Sequence, residues 1–392
     1  MSSLNFMEKL LDGVEVEWKS LGDVANVTIG EFVHQDKQDP SAKYPVYNGG
    51  IKPTGYYDKY NNTGNKIIVS ARGANAGFVN KMLEPYWAGN SCYSISVKDE
   101  IQLNWEFVFY LLKSNENKMI GSQQGGGIPS ISKKQMESFI IPIPPLHIQS
   151  EIVQILDNFA ELTAELTAEL TARKKQYTHY RDKLLTFEDG EVEFKTLGEV
   201  GEFIRGSGLQ KSDFTETGFP AIHYGQIYTY YGNFADKTKT FVSSELATKL
   251  KKAKKNDLII ATTSENIEDV CKPLVWLGDD EVCVSGETYI FRHNQNAKYI
   301  AYYLQMPIFF DYKKLNRTGT KVTRVHGDKL AKFKIPIPPL KEQERIVSIL
   351  DKFDTLTNSI KEGLPKEIKL RQQQYEYYRD LLLTFPKPAE LL

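Results

Sequence analysis

The amino-acid sequence predicts an α/β (α+β) protein with two globular domains, joined and separated by two long helical arms that pair as an antiparallel coiled coil. Three observations carry this. First, the chain repeats a frame: IPIPPL occurs at Ile141–Leu146 and again at Ile335–Leu340, followed by QSEIVQILDNF from Gln149 and QERIVSILDKF from Gln343. Second, both arms end alike, QYTHYRDKLLTF from Gln176 and QYEYYRDLLLTF from Gln374, and both halves open alike, VEWKSLGDV from Val16 and VEFKTLGEV from Val192. Third, the segments between, roughly 25–140 and 201–334, barely resemble each other. Constant frames around two different inserts describe one scaffold presenting two different surfaces. The expected divisions are a domain over 1–145, an arm over 146–189, a domain over 190–339 and an arm over 340–392.

Inside the inserts, short β-branched and aromatic runs predict strands: KIIVSAR (Lys66–Arg72), SCYSISV (Ser91–Val97), DLIIATT (Asp257–Thr263) and TYIFRH (Thr288–His293). YNNTGN (Tyr60–Asn65) and LGDDE (Leu277–Glu281) punctuate them as turns. A helix precedes each proline element, NWEFVFYLLKS from Asn104 and AKYIAYYLQM from Ala297. The prolines fix φ and restrict their predecessors, so IPIPPL is an extended, stiff exit from each domain.

Beyond Leu146 a helical period takes over. Ile152, Leu156, Phe159, Leu162, Leu166 and Leu170 fall on one stripe, and no Gly or Pro interrupts Glu151–Leu184. Such a helix runs about 50 Å at about 1.5 Å per residue, and a single apolar stripe on it calls for a partner helix. Ile346, Ile349, Phe353, Leu356 and Ile360 of the second arm supply one. Gly363 and Pro365 predict a kink or break there. The first arm also holds a four-residue repeat, AEL–TAEL–TAEL over Ala160–Leu170. Each copy adds about 6 Å and roughly 40° of rotation, nearly preserving the stripe.

Composition bounds the function. Hydrophobic residues make up 41% and aromatics 12%, with 22 tyrosines, which excludes wholesale disorder. The apolar runs are too short to cross a membrane, and MSSLNFMEKLLDG has no leader pattern, so a cytoplasmic protein is expected. Cys92, Cys271 and Cys283 read as buried free thiols rather than a disulfide framework or zinc site. A net charge of −1 argues against a simple nucleic-acid-coating polycation. The charge is unevenly spread, with 21 Lys and Arg against 18 Asp and Glu over 190–339, and 5 against 8 over 146–189.

Catalytic motifs are wanting. There is no N/DPP-aromatic motif for amino-group methylation, no Gly-rich cofactor loop of methyltransferase kind, and no phosphate loop. Glu17-Trp18-Lys19 and Glu193-Phe194-Lys195 carry the Glu-x-Lys of nucleases without a convincing upstream carboxylate, and a salt-bridged strand is the plainer reading. The six histidines have no metal-ligand spacing.

The order of the frames, the TAEL copies and the closing YRDxLLTF signatures together resemble the specificity subunit of a Type I restriction–modification enzyme. The resemblance covers essentially the whole chain, and the TAEL copies point to the branch in which copy number tunes DNA spacer length. It implies that each insert is a target-recognition domain reading one half of a split, asymmetric double-stranded DNA sequence. It further implies that the arms dock two adenine-methylating (M) subunits, that restriction-motor (R) subunits join, and that there is no membrane partner. No cofactor is then expected on this chain; S-adenosylmethionine, ATP and Mg belong to the partner subunits. A stand-alone DNA-acting enzyme and a coiled-coil scaffold unrelated to DNA are the competing classes.

Candidate DNA contacts follow from side-chain chemistry, Arg, Lys, Asn and Gln for base edges and Tyr, Ser and backbone amides for phosphates. In the first domain Arg72 and Asn75 lie in the Gly-rich turn SARGANAG, and Gln123, Gln124, Ser130, Ser132 and Lys133 lie in a polar loop. At an offset of 194 that loop aligns with RTGTKVTRVH, which supplies Arg317, Lys321, Arg324 and His326. Tyr47, Asn48, Tyr56 and Tyr57 in the first domain, and Tyr224, Gln226 and Tyr228 in the second, are weaker candidates because tyrosine is so often core. An ordinary surface role is the plainer reading for His223 and for His326 taken singly. KLKKAKK (Lys249–Lys255) suits phosphates or a solvated helix end equally.

Overall fold

A computed structural model of the chain describes residues 9–121, 129–359 and 362–388. The chain divides into two compact units, Met1–Glu165 with Lys369–Leu392, and Leu166–Ile368. Each unit holds one globular head and a share of both helical arms.

The repeated sequence elements turn out to be strand partners. In the first unit β1 (Glu17–Ser20) pairs antiparallel with β6 (Ile140–Ile143), Glu17 opposite Ile143 and Ser20 opposite Ile140. In the second, β7 (Glu193–Thr196) pairs with β15 (Lys334–Ile337) in the same register, Glu193 opposite Ile337 and Thr196 opposite Lys334. Each ladder has only two strands, so every strand is an edge, the setting in which Pro142 and Pro336 are tolerated without their N–H. The Glu-x-Lys residues lie on these ladders as ion pairs, Lys19 to Glu17 at 2.9 Å and Lys195 to Glu193 at 3.1 Å.

Head 1 is built on β2 (Ala25–Ile29), β3 (Lys66–Ser70), β4 (Val79–Met82) and β5 (Cys92–Val97), an antiparallel sheet in the order β2-β5-β3-β4. Head 2 repeats it with β8 (Gly201–Arg205), β10 (Leu258–Ala261), β12 (Lys272–Trp276) and β13 (Thr288–His293), and adds β9 (Phe234–Ala235) parallel to β12, giving β8-β13-β10-β12-β9. Two segments with little sequence in common therefore share one strand order. A smaller second sheet sets them apart, three strands centred on Tyr44–Tyr47 in head 1 and four strands in head 2. The three cysteines are buried free thiols.

A repeated clamp joins each head to its arm. α1 (Trp105–Ser114) and α3 (Ala297–Tyr303) are capped by Asn104 and Asn296, and α2 (Leu146–Leu185) and α4 (Leu340–Asn358) start the arms. Gln149, fully buried near the start of α2, accepts from the Asn104 N–H at 2.8 Å and donates to the carbonyls of Pro144 and Gln102. Gln343 does the same for the second head, accepting from Asn296 and donating to Pro338 and Gln295. About two turns on, Asp157 accepts from the Tyr110 hydroxyl and from Lys81, and Asp351 from the Tyr302 hydroxyl and from Lys298. The arm signatures are thus polar docking points, buried at the glutamines and half-buried at the aspartates, each satisfied by hydrogen bonds.

The arms pair as expected. Phe159 of the first ILDxF stacks on Tyr378 of the second QYxxYRD at 5.4 Å, and Phe353 of the second stacks on Tyr180 of the first at 5.6 Å. Each stack joins the two arms within one unit. Leu162, Leu166 and Leu170 are half-buried while most of the TAEL positions around them are exposed. The closing LLTF signatures dock on the heads: Phe385 packs edge-on against Phe107 of head 1, and Leu185 enters the core of head 2. The second arm is interrupted where expected. α4 stops at Asn358, Gly363 adopts φ +80°, and α5 (Leu364–Leu382) begins with Pro365 in its first turn, where a missing N–H leaves no helical bond unmade. Ile360 lies outside the described residues.

Candidate nucleic-acid interface

In head 1 the chain leaves β3 through Ala71–Gly77. Backbone bonds hold this turn to the polar loop: Ile131 N–H donates to Ala71 at 2.9 Å and Gly73 N–H to Pro129 at 2.9 Å. Arg72 thereby stands opposite Ser130 in an isolated bridge, and both are exposed. Gly73 at φ +91° and Gly77 at φ +95° make a turn that few other residues would adopt. Asn75 is half-buried in it. Lys133 is exposed, 3.5 Å from Glu137. Ser132 has a different task, capping the helical turn Lys133–Glu137 in a reciprocal capping box with Gln135. Gln123 and Gln124 lie outside the described residues.

Head 2 has the same construction with the chemistry exchanged. Thr262 takes the place of Ala71, accepting from Val325 N–H at 3.1 Å. β11 (Thr263–Ser264) then pairs with β14 (Thr323–Arg324), Thr263 opposite Arg324. The arginine now sits on the polar loop, where head 1 has Ser130, and a hydroxyl sits on the turn, where head 1 has Arg72. Arg324 Nε donates to Thr263 Oγ1 at 3.1 Å and Nη2 to Glu287 Oε2 at 3.2 Å, while the Thr263 hydroxyl bonds the same carboxylate oxygen. Burial pushes the Glu287 carboxyl up, but the Thr263 hydroxyl, Arg324 and Arg205 outweigh it and hold the group below its usual range. Arg317 and Lys321 are exposed, and His326 is exposed with its ring 3.5 Å from the Thr318 hydroxyl.

Two residues at this edge escaped the sequence reading. Arg205 is exposed at the end of β8, with Nε 3.3 Å from the Gly286 carbonyl, and Glu287 lies just before β13. Arg205-Gly206 after a strand is the same local signal as Arg72-Gly73 and could have been found. Glu287 gave no local signal, because its neighbours Thr263 and Arg324 are 24 and 37 residues away.

Other candidates serve the fold. Gln226 accepts from His223 N–H and donates to Thr240, so its amide is engaged at both ends. His223 is buried rather than on the surface; its Nδ1 accepts from Gly225 N–H, and burial lowers its pKa. Tyr228 donates to the carbonyls of Ala261 and Thr263, and burial raises its hydroxyl pKa. Tyr224 is half-buried against His223. Tyr56 is 39% exposed, Tyr57 packs edge-on against Trp87, and Asn48 is 3.4 Å from the Thr54 hydroxyl. The Lys249–Lys255 run is only partly a helix end. Lys252 lies in a strand over the Phe219 ring, and Lys249, Lys254 and Lys255 pair with Glu245, Glu281 and Asp279. Among the described residues no group of three or more His, Cys, Asp or Glu gathers as a metal site, and no helix is long and apolar enough to cross a membrane.

Two similar heads with different polar edges, mounted on a repeated frame, match a known protein family. The family model for the Type I restriction modification DNA specificity domain matches residues 13–173 and 189–370. The chain belongs to this family. It is 36% identical over 420 residues to the Type I restriction enzyme EcoR124I/EcoR124II specificity subunit of Escherichia coli, covering 99% of both chains. It is 30% identical to the Escherichia coli EcoprrI specificity subunit, covering 92% of this chain and 93% of that one. Among solved structures, the S subunit of a Type I restriction–modification system from M. genitalium has the same fold, with a TM-score of 0.63, 19% identity and coverage of 96% and 98%. This specificity subunit is therefore the DNA-recognition component of a Type I restriction–modification system, working with DNA and with methylase and restriction subunits.

Proposed function

We propose that the specificity subunit reads a bipartite, asymmetric DNA target with one half-site per head, through the edge at which the turn after the central strand meets the polar loop. The observation that carries this reading is the exchange of chemistry at matched places, Arg72 and Ser130 in head 1 against Thr263 and Arg324 in head 2. One frame with different donors at equivalent positions is what two half-sites of different sequence require. Arg72, Asn75, Ser130 and Lys133 would contact one half-site, and Arg205, Arg317, Lys321, Arg324 and His326 the other. The chain itself is non-catalytic and binds no small-molecule cofactor. S-adenosylmethionine belongs to two docked M subunits, ATP and Mg to the R subunits, and the complex works in the cytoplasm. The arms set the unread gap between the half-sites, with the TAEL copies as its unit of length.

Mapping methylated adenines in DNA from cells carrying the system tests this. Replacing 190–339 by the corresponding segment of a relative should change one half-site only. Inserting one TAEL copy after Leu170 should lengthen the gap by one to two base pairs, since about 6 Å of rise spans more than one step of about 3.4 Å. A changed half-sequence after the insertion, or two changed half-sites after the replacement, would defeat the modular reading.

A further inference from the structure

We infer that Arg324 and Glu287 form a composite reader of a single G·C base pair in the half-site of head 2, Arg324 donating to guanine and Glu287 accepting from the cytosine amino group. This rests on the DNA-reading role proposed for that edge and extends it to base identity. In the major groove a G·C pair presents two acceptors, N7 and O6 of guanine, and then one donor, N4 of cytosine. Its complement is two donors beside one acceptor. Arg324 and Glu287 offer that row, with side chains 44% and 34% exposed. Nε and one Nη2 proton of Arg324 are used internally, on Thr263 and Glu287, and among the described residues Nη1 meets no hydrogen-bond acceptor. On Glu287 the internal bonds converge on Oε2, and among the described residues Oε1 accepts no hydrogen bond.

The spacing also fits. Guanine O6 and cytosine N4 are bonded to each other about 2.9 Å apart, and the Arg324 guanidinium and the Glu287 carboxylate are hydrogen-bonded neighbours too, Nη2 to Oε2 at 3.2 Å, which leaves Nη1, the second Nη2 proton and Oε1 for the base pair. Thr263 bonds both partners and sits on a strand paired with Arg324, so the row is held before DNA arrives. An A·T pair presents acceptor, donor, acceptor. The carboxylate would then face the thymine O4, and two acceptors in contact penalise the wrong base. Head 1 has Ser91 where head 2 has Glu287: the carbonyls of these two residues accept from the equivalent Ala71 and Thr262 N–H groups. The inference is therefore confined to head 2.

The test uses the full chain assembled with its methylase subunits. Methylated sites are mapped for the parent, Glu287→Ala and Arg324→Ala. Affinity is then measured, at one salt concentration, for duplexes in which each cytosine of the head 2 half-site is replaced in turn by 2-pyrimidinone, which lacks the 4-amino group. At one position the analogue should weaken the parent on the order of tenfold, and Glu287→Ala, which removes the acceptor, should be insensitive to the analogue there and relaxed at that base pair. If Arg324→Ala relaxes one pair while Glu287→Ala keeps the parent motif, the composite reader is wrong and the edge stands. An equal loss to the analogue in parent and Glu287→Ala means that Glu287 acts only through Arg324, and also overturns it. Loss of methylation by an assembled Glu287→Ala complex, or weaker binding to all sequences alike, counts against it too. A parent motif in Arg324→Ala would instead bring down the DNA-reading role of the edge itself.

Discussion

Head 1 and head 2 share a four-stranded antiparallel sheet in one order, the same two-stranded frame and the same glutamine clamp, yet they differ where the sheet meets the polar loop. Head 1 offers one arginine, Arg72, beside Ser130. Head 2 places Thr263, Arg324 and Arg205 around Glu287. The shared glutamines are buried and hydrogen-bonded within the chain, so a change there endangers the fold. What differs rests on a few side chains, with Arg72, Ser130, Arg205 and Arg324 exposed among them, so it is free to change with the sequence to be read.

The largest expected effect tests the shared part. Gln149→Leu and Gln343→Leu each leave a buried N–H and carbonyl without partners and should destabilise the protein by about 3 kcal/mol. Denaturant midpoints measure this, and clearly unequal losses would break the equivalence of the two clamps. Next comes the variable edge. Arg72→Ala should cost about 1–3 kcal/mol of discrimination at one base pair of the half-site read by head 1, leaving the other half-site untouched. Mapped methylation sites that blur in both halves would refute it, and equal weakening on every sequence would assign Arg72 to a phosphate.

Acid should also tell the heads apart. Burial pushes the His293 ring down to about 4, and its Nε2 has no hydrogen-bond partner among the described residues. The equivalent residue in head 1 is Val97, each lying opposite the first residue of the neighbouring strand. A folded-state pKa below the unfolded value of about 6.5 means the unfolded chain binds the proton first. Stability is therefore lost as pH falls from about 6.5 towards 4, by about 2 kcal/mol at pH 5. His293→Val, which copies head 1, should remove that part of the pH dependence, whereas an unchanged slope between pH 7 and 5 would assign the loss elsewhere. The smallest effect concerns Ser132→Ala, which removes a cap and should cost about 1 kcal/mol of stability while the mapped motif stays the same. A changed motif would give Ser132 a role in reading DNA besides the cap.

Much of the fold was legible because its signals are local. Proline restriction, leucines on one helical stripe and a helix break at Gly363 and Pro365 depend only on neighbouring residues, and each appears where the sequence places it. Candidate residues were legible as types but not as tasks. Arg72 and Ser130 do come together across the turn and loop of head 1, and Arg324 meets Thr263 across those of head 2, whereas Ser132 and Gln226 carry the same polar chemistry and spend it on capping. Nothing in a polar side chain's identity says whether a backbone N–H is already within reach.

By itself, then, the sequence determined the repeated frame, the two heads and the long arms, since repetition and period survive without any knowledge of partners. The tertiary structure decided the rest. It alone shows that EWKS and IIPI are strand partners, that Phe159 and Phe353 each stack on the other arm's tyrosine, and that two dissimilar inserts fold into sheets of one strand order. It alone brings Glu287 beside Arg324. These are contacts between residues tens to hundreds of positions apart, fixed by strand register and packing, and no neighbour in the sequence records them.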